Sequence, residues 1–223
     1  MNIKFFNDPE RLWNLILLLL KGAEVTLSIF FLTLLLSIPL GMLIAQGRMS
    51  KSPLLRGPVS FYIYIMRSTP LMLQILFIYF LLPQLLPIFR GQRFGLVIFA
   101  FVINYAAYFA EIFRGGIQSI SVGQYEAGKV LGYTRLQTFF RIVLPQMFKR
   151  VLLPTTNEVI TLIKDTALAY TVGVEELMTT ARKQVSGSSS IEPYLAAIVL
   201  YLILNGVAEQ LCKQCERKLS YYQ

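Results

Sequence analysis

Long apolar runs, not a short periodicity, dominate this chain. Five stretches approach the roughly 20 apolar residues that cross a bilayer as a helix: Thr26–Gln46, Phe61–Leu82, Phe94–Phe113, Val151–Val174 and Ile191–Leu211. The first is almost free of charge. The fourth is interrupted by Pro154, Glu158, Lys164 and Asp165 and is the weakest on hydropathy. Ahead of them, Leu12–Leu20 is a shorter run ending at Lys21-Gly22; acidic residues precede it, and it lacks the small-residue cleavage site of a secretory signal. The pattern predicts an all-α membrane protein of one domain, residues 1–223, with an interfacial helix over 1–21 leading into a five-span core over 22–217.

Between the third and fourth runs the pattern changes. Ser121–Pro145 is basic and helix-patterned. Ser121 with Gln124 and Thr134 with Gln137 both fit the S/T-x-x-E/Q capping box, in which the side chains satisfy free N–H groups at a helix start. Gly132 lies between them, where a left-handed turn residue ends a helix. Leu136, Phe139, Phe140 and Val143 then recur at helical spacing, predicting one apolar face. The segment reads as helix, sharp turn, helix, presenting a surface. Ser186–Ser190 reads as a flexible external loop.

Composition fixes the class. The chain is 55% hydrophobic and 15% charged, with a mean hydropathy of +0.58, which excludes an ordinary soluble domain. The net charge of +9 would suit nucleic acid, but its placement does not. With five spans and the amino terminus outside, 12 of the 21 basic residues fall in cytoplasmic segments, including Arg48, Lys51, Arg56, Lys129 and Arg135. Seven (Lys4, Arg11, Lys21, Arg90, Arg93, Arg182 and Lys183) fall outside, and Arg67 and Lys164 lie within spans. That asymmetry favours this orientation and puts Ser121–Pro145 in the cytoplasm. Cys212 and Cys215 stand alone in a chain without histidine, so no four-ligand zinc site can be completed; they read as reduced bystanders.

Polar residues inside the runs are the candidate chemistry. Pro154, Glu158, Thr161 and Asp165 fall on one narrow helical face, with Lys164 beside them. A charge at the bilayer centre costs at least about 2.5 kcal/mol, so these groups face protein or water. They line a solute path or neutralise one another as a structural network. Asn104, Tyr108 and Glu111 repeat the pattern in the third run, with Arg114 placed to pair with Glu111. In the second run, Pro70 removes a backbone donor and frees the carbonyl of Met66, so the helix opens beside Arg67, Ser68 and Thr69. The opening offers donors to a carboxylate, or it is a proline kink with a snorkelling arginine.

Several of these motifs carry a resemblance. Glu126-Ala127-Gly128, three residues, Gly132, nine residues and Ile142-Val143-Leu144-Pro145 is similar to the EAA loop of binding-protein-dependent ABC import permeases, with Gly128 in place of the second alanine. Arg67-Ser68-Thr69-Pro70-Leu71 resembles the R-G-T-P-L signature of the polar amino acid branch of that family. Asn157-Glu158 and Lys164-Asp165-Thr166-Ala167-Leu168 resemble its N-E and K-D-T-S-L signatures. The match runs from Gly22 to about Arg217. It implies a type I importer permease of five transmembrane helices, in a bacterial inner or plasma membrane, amino terminus outside and carboxyl terminus cytoplasmic. It further implies a second permease chain, identical or different, two ATP-binding subunits, and an extracellular or periplasmic amino acid-binding protein. ATP and Mg would belong to the ATPase subunits, and this chain has no G-x-x-x-x-G-K-[ST] loop of its own. Glu126, Ala127, Gly128, Leu131, Gly132, Arg135 and Pro145 would couple to the ATPase. Glu158, Thr161, Lys164, Asp165, Arg67, Ser68, Thr69 and Asn104 would meet a polar amino acid: basic, cystine or glutamine-like. The competing class is a stand-alone secondary transporter coupling ions through Glu158 and Asp165; no inverted repeat supports it.

Overall fold

The structure, a computed structural model, describes residues 8–219; Lys4 and the ends of the 1–223 domain lie outside the described residues. Among the described residues every regular element is helical. Helix α1, Pro9–Arg48, opens on an Asp8 cap whose carboxylate accepts from the Glu10 and Arg11 N–H groups, with Pro9 in the first turn. Its 40 residues span about 60 Å at 1.5 Å per residue, twice a hydrocarbon core. The helix passes Lys21 without a break. Leu15 and Leu19 are buried there against Leu177, Ala181 and Ala197.

The second expected span is two helices. α2, Pro53–Ser68, and α3, Leu71–Leu85, meet at 111° across Thr69-Pro70. Proline removes the donor that would continue α2 and drives the preceding residue to extended geometry, and Thr69 sits at φ −119°, ψ 147°. A short 3₁₀ turn, Pro87–Phe89, leads to α4, Arg93–Gln118. α5, Val122–Val130, α6, Arg135–Thr138, and a π-helical stretch, Phe139–Val143, run into α7, Leu144–Asp165. A 3₁₀ segment, Thr166–Val172, then α8, Leu177–Ser188, and α9, Glu192–Leu219, complete the order.

α4 is the hub. Seventy-two per cent of its apolar stretch is buried, against 11% for α9. Its Phe101, Tyr105, Phe109 and Phe113 pack ring beside ring in succession at four-residue spacing, stacked at either end and tilted between Tyr105 and Phe109. α1 lies along it through Thr33, Ser37, Gly41 and Ala45, also four apart and buried. Small residues let two helices approach closely where lipid gives no hydrophobic drive for association. At Gly41 the approach is tight: a Cβ there would stand 2.8 Å from Phe109 Cβ and 3.1 Å from the Ala106 carbonyl oxygen.

Three helices are long and apolar enough to cross a membrane, and the bent pair α2/α3 makes a fourth. α7 falls outside that set; it carries Lys149, Arg150, Glu158, Lys164 and Asp165. Three local expectations are corrected. Ser121 makes no side-chain cap, and Gln124 accepts instead from the Gln146 amide at 3.1 Å. The apolar face expected of Leu136, Phe139, Phe140 and Val143 is split. Val143 is buried while Leu136 and Phe140 are exposed, because the π turn widens the helix and shifts the register. Ser186–Ser190 is not a simple loop: Ser186–Ser188 close α8, Ser189 takes φ 54°, and the buried Ser190 hydroxyl donates to Glu192 at 2.7 Å.

Candidate functional site

The break at Thr69-Pro70 is held open by side chains. Pro70 leaves the Met66 carbonyl without its helical donor, and two amides replace it: Asn104 Nδ2 at 3.0 Å and Gln74 Nε2 at 3.0 Å. Asn104 Nδ2 also donates to Gln74 Oε1 at 2.9 Å. Gln74 Nε2 lies 2.8 Å from Thr69 Oγ1 and 3.2 Å from the Thr69 carbonyl. Thr69 Oγ1 donates back to Ile65 at 2.8 Å. Asn104 and Gln74 are buried, and this lattice exchanges one lost backbone bond for a cross-helix network tying α2, α3 and α4.

Beside it stands the polar stripe of α7. Asp165 Oδ2 accepts from the Tyr105 hydroxyl at 2.8 Å, fixing the end of α7 against the middle of α4. Glu158 is half-buried and within coulombic range of both Arg67 and Asp165. Thr161 is half-buried on the same face, Lys164 is exposed next to Asp165, and Ser68 is exposed at the end of α2. Of the expected residues, Asn104 and Thr69 therefore share one network, while Asp165, Glu158 and Arg67 share one electrostatic neighbourhood. Thr161, Lys164 and Ser68 flank them.

Arg67 does more than frame the break. Its guanidinium lies 5.3 Å from the Tyr108 ring centroid and 4.0 Å from Glu111. Glu111 collects two further arginines: Arg114, within 2.6 Å, and Arg48 at 3.6 Å. The Glu111–Arg114 pair expected from spacing is formed, inside a larger knot joining the ends of α1, α2 and α4.

Two contributors escaped the sequence reading. Tyr105 was passed over for Tyr108, yet it is the one hydroxyl on the Phe101–Tyr105–Phe109–Phe113 ladder, and a lone polar handle on a buried aromatic stack calls for a partner. Glu176 carried no motif. Fully buried, it caps α8 by accepting from the Met178 and Thr179 N–H groups, the Thr179 hydroxyl and the Tyr201 hydroxyl.

The Ser121–Pro145 segment forms the second candidate surface. α5 ends in a Schellman turn, with Tyr133 N–H donating to the Gly128 carbonyl, Gly132 N–H to Lys129, and Gly132 at φ 72°. Thr134 and Gln137 form the reciprocal capping box. Gly128, which departs from the EAA pattern, is buried against Thr138; a Cβ would lie 2.6 Å from Thr138 Oγ1. Outside this packed turn, Glu126, Ala127, Leu131, Gly132, Arg135 and Pro145 are all exposed. So are Val122, Val130, Leu136 and Phe140, a density of apolar side chains unusual beside so many charges.

Residues 37–221 match the family described as the binding-protein-dependent transport system inner membrane component. The chain belongs to this family. It is a permease subunit of an ABC importer and not itself a catalyst, since ATP hydrolysis resides in separate subunits. It is 36% identical over 212 residues to the octopine transport system permease protein OccM of Rhizobium radiobacter, covering 92% of this chain and 86% of that protein. It is 34% identical to the glutamine transport system permease protein GlnP of Escherichia coli (strain K12), covering 95% and 97%. With the arginine transport system permease protein ArtQ of Bacillus subtilis (strain 168) it shares 33% identity over 90% and 92% of the two chains. Among solved structures, an amino acid ABC transporter crystallised with histidines superposes with a TM-score of 0.87 at 30% identity, over 98% of this chain and 100% of that one. The MetNI methionine ABC transporter gives a TM-score of 0.73 at 21% identity over 91% of this permease and 96% of that chain, a likeness of fold.

Proposed function

We propose that this permease carries a polar amino acid through a five-span core. The fourth span in chain order is the charged α7 with its 3₁₀ extension, and residues 121–145 are the cytoplasmic coupling segment. The amino terminus lies outside and the carboxyl terminus in the cytoplasm, as the distribution of basic residues favours. The partners are a second permease chain, two ATP-binding subunits seated on the exposed apolar and charged side chains of α5 and α6, and a binding protein delivering the amino acid from outside. ATP-driven closure of the ATPase pair moves the coupling segments and rocks α7 against the α1/α4 scaffold, opening the path alternately to each side.

One observation carries the substrate assignment. The buried Asn104–Gln74 lattice keeps the α2/α3 break open within the neighbourhood of Glu158, Asp165 and Arg67. An amino acid's ammonium suits the two carboxylates on α7, and its carboxylate suits Lys164, Arg67 and the hydroxyls of Ser68 and Thr69. The relatives named for glutamine, octopine and arginine transport support a polar amino acid; the paired carboxylates favour one with an added cationic group.

The test is uptake in vesicles holding the permease, its ATPase subunits and its binding protein. The double variant Glu158→Gln with Asp165→Asn should lose uptake by about 100-fold while the ATPase subunits still co-purify, in line with two lost charged contacts of about 1.5 kcal/mol each. Unchanged uptake would remove both carboxylates from the path. Uptake that proceeds without ATPase subunits and follows an ion gradient would instead establish the secondary-carrier reading.

A further inference from the structure

The carboxylate that caps α8 holds one partner more than a cap requires. Glu176 accepts the Met178 N–H on one oxygen and the Thr179 N–H on the other, both at 2.7 Å. The Thr179 hydroxyl adds a bond at 2.8 Å, and the Tyr201 hydroxyl arrives from α9 at 3.1 Å. That same tyrosine hydroxyl lies within hydrogen-bonding reach of Thr26 on α1 and Thr166 at the start of the 3₁₀ segment. Thr26 Oγ1 accepts the Leu177 N–H at 3.2 Å, which leaves its own proton for Tyr201. Thr26, Thr166 and Glu176 are all fully buried. A Cβ at Gly22 would stand 2.7 Å from Thr180 Oγ1 and 3.0 Å from Leu177 Cα, so the start of α8 is pressed onto α1.

The node ends beside the polar stripe. Thr166 follows Asp165 and is the residue at which α7 tightens into the 3₁₀ segment. An α-helix turns about 100° per residue and a 3₁₀-helix about 120°, so the point of change fixes where Asp165 is aimed. Thr166 is held there from its own helix, its N–H donating to the Leu162 carbonyl and its hydroxyl to Ile163 at 2.7 Å. Tyr201 holds it from outside that helix. Asp165 then meets the Tyr105 hydroxyl across α4 at 2.8 Å, a bond that a small rotation of the junction would break.

We infer that Glu176, acting through Tyr201 and Thr166, is a positioning residue for Asp165 in the transport path. The inference rests on the reading of Asp165 as a path residue, and it adds a buried group outside the polar stripe that sets the aim of that carboxylate. Two backbone N–H groups already complete the cap of α8, so capping alone gives Glu176 no use for a tyrosine from another helix. A carboxylate is an acceptor only, so it fixes the direction of every donor around it and gives the node a single arrangement.

The experiment measures ATP-driven amino acid uptake by the assembled importer in vesicles, for wild type, Tyr201→Phe, Asp165→Asn and the double variant. Tyr201→Phe spares both cap bonds and should lower uptake about fivefold, the size of one net hydrogen bond, whereas Asp165→Asn alone should lower it about tenfold. In the Asp165→Asn background Tyr201→Phe should lower uptake by less than about twofold more, because the charge it aims is gone. Equal fold losses in the two backgrounds would show a role in general stability and overturn the inference. Unchanged uptake in Tyr201→Phe would also overturn it, leaving the importer reading intact. A second pair answers even where Tyr201→Phe fails to assemble. Thr166→Ser keeps the hydroxyl and should retain most uptake, while the isosteric Thr166→Val should lose about fivefold; equal uptake in these two would sink the idea. Unchanged uptake in Asp165→Asn would instead take Asp165 off the path, and this inference with it.

Discussion

The two long seams of α4 are built on opposite principles. Against α1 the contact is narrow, with Gly41, Ala45 and Ala110 letting backbones approach and Thr33 and Ser37 fully buried. Against α7 and the α2/α3 break, apolar packing at Gly116, Val151 and Met147 is joined by polar bonds, with Asp165 on Tyr105, Asn104 on Gln74 and Met66, and Glu158 only half-buried. A close-packed seam resists sliding because any shift brings backbone against backbone. A seam of discrete hydrogen bonds beside half-buried charge can exchange partners with water or solute. The contrast sets the α1/α4 seam apart from the one that carries the hydrogen-bonded polar groups.

The comparison is broken most severely at Gly41. Gly41→Val should cost about 3 kcal/mol by overpacking against Phe109 and Ala106, read as a lower unfolding temperature and poor recovery of the ATPase complex. Wild-type stability in this variant would mean that the scaffold seam is softer than its geometry. On the polar side, Asn104→Leu strips a donor from Met66 and leaves Gln74 Oε1 unpaired, an expected loss of about 2 kcal/mol. Transport should fall more than assembly, because the break rather than the scaffold is disturbed; an equal fall in both would erase the distinction.

Smaller effects sharpen the same division. Gly132→Ala forces a side chain into the left-handed region at the end of α5 and should weaken ATPase co-purification at a cost of about 1 kcal/mol. Gly128→Ala restores the usual second alanine yet should also destabilise, by about 1 kcal/mol or less, since Thr138 must move aside. The companion Gly128→Ala with Thr138→Ser should recover part of that loss, measured by the same co-purification. Tyr105→Phe removes only the hydroxyl on Asp165, and about 1 kcal/mol of stability should go with it.

Much of this was legible before folding because it is local. Pro70 opens its helix whatever surrounds it, and the Met66 carbonyl was identifiable as the group left bare. Gly132 supplies φ 72° because the turn after α5 needs it, and Thr134 caps α6 with Gln137 through contacts three residues apart. The Ser121 cap failed for an equally physical reason: Gln124 found a better partner twenty-two residues away in Gln146, and local pattern cannot weigh that competition. The exposure of Phe140 was hidden in a π turn, which has no spacing signature of its own.

The sequence by itself determined the class and the local punctuation: apolar runs too long for a soluble core, the proline break, the left-handed turn, and charges that a bilayer does not tolerate unpartnered. Only the tertiary structure decided which groups meet. Asn104 and Gln74 close on Met66, Tyr105 takes Asp165, Arg67 turns to Tyr108 and Glu111, and Glu176 disappears beneath α8. The reason is one of range. Backbone geometry responds to neighbours within a turn, whereas a buried polar group is satisfied by whatever the packing of distant helices brings within about 3 Å.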